Sequence, residues 1–181
     1  MNLEEKTLDN TCLYDGKILK LVLKDVLLPN GKTAKREVVA HSGGVGVIAL
    51  TEDDEILLVK QFRSPYEKIV TEIPAGKKEQ GEDPLECGKR ELLEETGFMA
   101  EEFIPLGEVY PSPGYCGEII YLFLALGLKS QQQSLDEDEF LTFEKIPLNK
   151  ALSMVMSGEI SDSKTQVAIL KTALLKANGR I

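Results

Sequence analysis

The sequence has no tryptophan, a single histidine (His41), and three cysteines, Cys12, Cys87 and Cys116, with no CxxC spacing. One histidine and no GxSxG leave a Ser-His-Asp nucleophilic mechanism without its parts. Thiols odd in number and far apart predict reduced cysteines in a cytoplasmic protein, not a disulfide framework or a zinc site. Long apolar runs are missing: 45–50 and 119–126 are the longest kind present, far short of the ~20 residues needed to cross a bilayer. The first ten residues, MNLEEKTLDN, are polar and acidic, unlike a secretory leader. No membrane partner is expected. Positive charge is scarce, 21 Lys and Arg against 30 Asp and Glu for a net −9. That removes the basic footprint of a nucleic-acid binder. It does not exclude a small phosphorylated substrate, because divalent cations can bridge two sets of negative charge. What is there, 181 residues with 43% hydrophobic and 28% charged, suits one globular domain with room for a small appendage.

Segments 18–28 and 36–40 flank Pro29-Asn30-Gly31 and read as a hairpin, Asn-Gly being a strong turn signal. A second pair, 45–50 and 56–62, surrounds an acidic turn at 52–55. Further strands are expected at 69–73, 106–110, 119–126 and 140–146, with loops at 111–117 and 131–138. Helices are expected at 84–96, 148–157 and 163–176. The run Gln131-Gln132-Gln133 reads as loop filler. Strands mixed with few helices point to an α+β fold or an α/β/α sandwich. Gly44, Gly46 and Ala49 fit a loose GxGxxA dinucleotide pattern, but they open an alternating Val/Ile strand with no helix after it, so the Rossmann context fails.

The densest information lies in 76–98, GKKEQGEDPLECGKRELLEETGF. Asp83 before Pro84 is a helix start, since Asp caps free N–H groups and Pro at the first position forfeits no hydrogen bond. Gly97 suits the left-handed residue that ends a helix. At about 100° per residue, Leu85, Gly88, Leu92 and Thr96 share one face that packs on a sheet. Glu91, Glu94 and Glu95 occupy the neighbouring sector. Like charges one turn apart destabilise a bare helix by about 0.2–0.5 kcal/mol per pair, so a solvated acidic face is one reading. The other is an all-oxygen site for a hard cation, Mg²⁺ or Mn²⁺. It is favoured by Arg90, able to grip a carboxylate bidentately, and by a preceding loop bounded by Gly76 and Gly81.

Gly76, Glu82, Arg90, Glu91, Leu92, Glu94, Glu95, Gly97 and Phe98 fill every fixed position of G-x5-E-x7-R-E-U-x-E-E-x-G-U, U being bulky and apolar. The chain thereby resembles the Nudix hydrolases. Pro113, sixteen residues after Gly97, resembles the mark of the ADP-ribose pyrophosphatase subgroup. The resemblance implies an α/β fold, a Nudix α/β/α sandwich with a mixed sheet over 41–181. A small N-terminal antiparallel β segment over 1–40 would serve dimerisation, exchanged between the two copies of a homodimer.

It also implies Mg²⁺-dependent hydrolysis of ADP-ribose, or of another nucleoside diphosphate derivative such as a nucleotide sugar or dinucleotide. A metabolite-binding regulator is the non-enzymatic alternative. Metal would be held by Glu91, Glu94, Glu95, Glu139 and the Ala75 carbonyl. Glu137 would be the catalytic base with Glu139 beside it, while Glu82 and Arg90 organise the loop and orient the ligating carboxylates. Substrate contacts are implied for Arg36, Glu37, Arg63, Glu72, Ser112, Pro113, Gly114 and Glu118. Tyr14 is a candidate for stacking on adenine.

Overall fold

The computed structural model describes residues 2–135 and 140–181, which form ten strands and three α-helices. They fall into two compact units. One is the chain up to Gly43 together with Tyr110–Ile119; the other is Gly44–Val109 with Ile120–Ile181.

The first unit is an antiparallel sheet of β1 (Lys6–Asp15), β2 (Lys20–Leu27) and β3 (Thr33–Ala40), in that order. β2 and β3 are the expected hairpin. Its turn closes where Gly31 N–H donates to Leu28 O at 2.9 Å and the Asn30 side chain accepts from Lys32 N–H at 3.0 Å. β1 is an addition. All ten of its residues are exposed, so no apolar periodicity marks it, and backbone pairing with β2 through two register shifts makes the strand. The loop 110–119 folds with this unit and not with the strands that flank it in sequence: Val39 N–H donates to Tyr115 O at 2.8 Å and Gly117 N–H to Val39 O at 2.9 Å. Ser112 O accepts from Cys116 N–H at 2.9 Å, so Ser112-Pro113-Gly114 forms the turn its composition predicts.

The second unit holds the helices. Its mixed sheet runs β7 (Ala75–Lys77), β4 (Gly44–Ala49), β9 (Ile120–Ser130), β8 (Phe98–Val109), with β4 and β9 parallel and the other pairs antiparallel. A second, antiparallel sheet runs β10 (Leu141–Pro147), β5 (Glu55–Arg63), β6 (Lys68–Glu72). The period of two along β4 sorts the core. Val45, Val47 and Ala49 join Phe123, Ala125, Cys87 and Leu92 beneath α1 (Pro84–Thr96). Ile48 and Leu50 join Leu122, Leu124, Ala151 and Ile169 beneath α2 (Leu148–Ser157) and α3 (Ser163–Ala177). Helices therefore cover a sheet buried on both faces, the expected sandwich.

In the second unit, β8 and β7 depart from the sequence expectation. β8 begins at Phe98, not 106, because pairing from Phe98↔Ser130 onward carries the polar stretch Ala100-Glu101-Glu102. The loop before α1 contains β7, three residues long and paired to β4 with Ala75 opposite Gly46. Among the described residues, no helix is long and apolar enough to cross a membrane.

Candidate active site

α1 has the limits its caps predict. Asp83 Oδ1 accepts from Leu85 N–H at 2.9 Å and Glu86 N–H at 3.3 Å, and Gly97 ends the helix at φ 70°. Between those caps two carboxylates are buried: Glu91 is 6% exposed and Glu95 2%. Both turn toward β7. Glu95 Oε2 accepts from Ala75 N–H at 3.0 Å. Glu91 lies over Gly76 so closely that a Cβ there would sit 1.9 Å from its carboxyl carbon. Gly76 is thus a site for close approach, and what approaches it is a side chain of the protein itself.

Arg90 binds the remaining acids. Its Nε and Nη2 reach the two oxygens of Glu82 at 3.1 and 3.3 Å, and its Nη1 meets Glu91 Oε1 at 2.8 Å and Glu94 Oε2 at 2.9 Å. Nη2 also faces Lys77 O and Cys87 Sγ, each at 3.5 Å. The Arg90 hydrogen bonds pull the Glu82 carboxyl down to about 2. Those same bonds raise Arg90 above the usual guanidinium range. Burial first, then the Glu82 charge, pushes the Cys87 thiol up to about 12, so Cys87 is a packing residue here and no nucleophile.

A second charged group sits at the ends of β5 and β6. Arg63 donates from Nε and Nη2 to the two oxygens of Glu72 at 2.6 and 2.9 Å. Glu72, 2% exposed, also takes the Lys164 ammonium, which in turn lies 3.1 Å from Asp162 Oδ1. Burial alone would push the Glu72 carboxyl up; the Arg63 bonds and the Lys164 charge outweigh it and leave it below its ordinary value. Lys164 and Asp162 are far from Glu72 in sequence and carried no local signal.

The loop after β9 docks on the C-terminal end of α1. Gln131 N–H donates to Gly97 O at 2.6 Å, Gln133 Nε2 to Glu95 O at 2.5 Å, and Ser134 N–H to Glu94 O at 3.3 Å. These bonds satisfy carbonyls that a helix end leaves open. The glutamine run is therefore a cap and not filler. Gly97 serves it twice, since a Cβ there would lie 2.9 Å from Gln133 N and 3.0 Å from Gln131 O. Glu137 and Glu139 lie outside the described residues.

In the first unit, Arg36 is held by Glu5, Nε to Oε2 at 3.1 Å and Nη2 to Oε1 at 2.5 Å, with Nη1 on Lys35 O at 3.0 Å. Glu37 is exposed on β3. Glu118 Oε1 lies 3.6 Å from His41 Nδ1, a nitrogen that accepts from Gly43 N–H at 3.0 Å.

Among the described residues no three His, Cys, Asp or Glu side chains converge to hold a metal ion. Arg90 touches both Glu91 and Glu94, but the two carboxylates buried beside β7 are Glu91 and Glu95. Mg²⁺ fits such a set, because it commonly takes one or two carboxylates and completes its shell with water and substrate phosphate oxygens. A zinc site would want nitrogen or sulfur donors.

A family model described as the NUDIX domain matches residues 40–164. The chain is 45% identical over 178 residues to an ADP-ribose pyrophosphatase of Bacillus subtilis (strain 168), covering 97% of this chain and 96% of that one. It is also 45% identical over 176 residues to a methanol dehydrogenase activator of Bacillus methanolicus, covering 96% and 95%. A solved structure described as an ADP compounds hydrolase superposes over 100% of both chains with a TM-score of 0.85 at 21% identity, a likeness of fold.

Proposed function

The chain belongs to the Nudix family, and from that premise we propose that it is a pyrophosphohydrolase cleaving ADP-ribose to AMP and ribose 5-phosphate. The observation that carries this reading is full-length similarity to an ADP-ribose pyrophosphatase in a chain whose Glu91 and Glu95 are buried one helical turn apart beside β7. Glu91, Glu95 and the Ala75 carbonyl would hold the divalent metal, Mg²⁺ or Mn²⁺, with Glu139 and Glu94 adding donors. A cation held there would neutralise the diphosphate and lower the pKa of a bound water. Glu137 takes the proton, and attack is in line at one phosphorus. Glu82 and Arg90 keep the carboxylates oriented, as outer partners of metal ligands do.

Arg63, Glu72, Arg36, Glu37, Glu118 and the Ser112-Pro113-Gly114 turn make the substrate contacts. The protein works as a cytoplasmic homodimer joined through its first unit. What supports a dimer there is β1, which leaves Leu8, Leu13 and Tyr14 each more than half exposed. A monomer by light scattering at micromolar concentration would remove that element.

The deciding experiment is a panel of ADP-ribose, nucleotide sugars and dinucleotides with Mg²⁺ and with Mn²⁺, scored by kcat/KM. ADP-ribose is expected to lead. A nucleotide sugar or dinucleotide in first place would replace the substrate but keep the enzyme. Tight ADP-ribose binding without product would replace the enzyme with a binding protein. Glu137→Gln is expected to lower kcat by about 10²–10⁴-fold while leaving metal affinity near wild type. The relative named for activating methanol dehydrogenase favours a second reading, in which a dehydrogenase is the partner. Stimulation of a dehydrogenase by the wild type but not by Glu95→Gln would support it.

A further inference from the structure

Lys164 is a cation in an unfavourable place. It stands in the first turn of α3, whose N-cap is Asp162, where the helix dipole favours anions. It is also buried, 8% exposed, and lysine is almost never buried without a partner. Local preference and burial both oppose it, so its reason must be tertiary.

That reason is Glu72. The first turn of α3 is pinned to the end of β6 by two side chains. Thr165 Oγ1 accepts from Ile73 N–H at 2.9 Å, and Lys164 Nζ bonds Glu72 Oε2. Asp162 braces both, accepting from Thr165 N–H at 2.9 Å and Thr165 Oγ1 at 2.6 Å and lying 3.1 Å from Lys164.

Glu72 in turn governs Arg63. In the β5–β6 register Arg63 stands opposite Lys68 and Glu72 opposite Val59, so both side chains rise from one face of the sheet, four residues apart along it. At about 3.3 Å per residue the arginine must lie back along that face to reach the carboxylate. Its Nε and Nη2 are spent on Glu72, and among the described residues Nη1 makes no hydrogen bond, in a side chain 38% exposed. The formal charges of Arg63, Lys164, Glu72 and Asp162 sum to zero. Without Lys164 the group would carry −1, and Arg63 would offer a phosphate a guanidinium embedded in net negative charge.

We propose that Lys164 is a positioning residue for the substrate. By holding Glu72 from the helix side, it fixes the grip on Arg63 and preserves the positive character of that arginine toward the substrate diphosphate. The inference rests on the reading of the protein as an ADP-ribose pyrophosphohydrolase, in which Arg63 meets the diphosphate.

The test compares wild type, Lys164→Met, Lys164→Arg and the double variant Glu72→Gln/Lys164→Met, which restores a formal charge of zero. Each is measured for KM and kcat at saturating Mg²⁺, for the Kd of α,β-methylene ADP-ribose by calorimetry, and for fold by circular dichroism. Lys164→Met is expected to raise KM and Kd about tenfold, the scale of one charge-assisted contact, with kcat within about threefold. Lys164→Arg should recover most of the loss. The double variant should bind better than Lys164→Met alone at equal thermal midpoints, which separates recovered charge from recovered structure.

Unchanged KM and Kd in folded Lys164→Met would overturn the proposal, as would a loss confined to kcat or a double variant no better than the single. If Lys164→Met does not fold, a double variant that folds and binds within about tenfold of wild type upholds the charge argument; one that folds and binds worse, or does not fold, overturns it. If the wild type prefers another substrate of the panel, ADP-ribose fails as the substrate. The Lys164 comparison is then made on the preferred one and stands or falls by itself.

Discussion

Arg63 and Arg90 look alike by the usual measures. Each side chain is about one-third exposed, 38% and 32%, and each is gripped by both oxygens of a glutamate. They differ in what is left over. Every nitrogen of Arg90 is engaged, by Glu82, Glu91, Glu94, Lys77 O and Cys87 Sγ. Arg63 keeps Nη1 in hand. An arginine with all donors committed holds other residues in place, whereas one with a donor to spare can serve a ligand. The count of uncommitted donors separates the two roles where burial does not.

The largest break in this comparison comes from the Arg90 side without altering the arginine. In Gly76→Ala the new methyl must displace the Glu91 carboxylate, the flexible end of a side chain, so the fold should survive. kcat/KM is expected to fall by about 10²–10³-fold, as when one preorganised electrostatic group is lost, with a thermal midpoint near wild type. Preserved activity would show that Glu91 need not lie over β7. Arg90→Lys comes next. An ammonium cannot bridge Glu82, Glu91 and Glu94 together, and both kcat and stability should suffer, by about 10–100-fold and about 1–3 kcal/mol in urea unfolding. Arg63→Ala should separate from it by raising KM about tenfold with kcat near wild type, and by a smaller loss of stability, since Lys164 still pairs Glu72. If both arginines reduce stability equally, the distinction between holder and server fails.

The smallest effect is in pH dependence. Glu82, held by Arg90 down to about 2, binds protons more weakly folded than unfolded. Its contribution is therefore fully present above an ordinary carboxylate pKa of about 4.3 and is lost as pH falls from there toward 2. Thermal midpoints of Glu82→Gln should lie below wild type at pH 6, and the gap should close in that acid window. A gap as wide at pH 3 as at pH 6 would mean the Arg90 grip is not what Glu82 contributes.

The parts of the molecule legible in the sequence are those whose causes are local. Asp83, Pro84 and Gly97 set the ends of α1 through bonds within three or four residues, and Asn30-Gly31 set the first hairpin. β1 was illegible because its ten exposed residues have no periodic apolar face; its strand character comes from pairing with β2. The start of β8 was hidden by Glu101-Glu102, two exposed acids that interrupt the alternation begun by Phe98 and Ala100. In the site, Glu91, Glu94 and Glu95 were visible as a sector of one helix, but their division was not. Arg90 reaches Glu94 from one turn away, whereas Gly76 and Ala75 lie fifteen and twenty positions from the Glu91 and Glu95 they meet. Lys164 and Glu72 are separated by 92 positions, so nothing in either neighbourhood could announce the pair.

The docking of Gln131, Gln133 and Ser134 on the last carbonyls of α1 gives the active-site helix a built-in reporter. The amide hydrogens of Gln131 and Ser134 are bonded to Gly97 O and Glu94 O, so they can exchange with solvent deuterium only when that junction opens. Amide exchange follows such local opening directly. Following those two amides as substrate and cation are added would time the fraying of the turn that bears Glu94 and Glu95, with no label attached to the site itself.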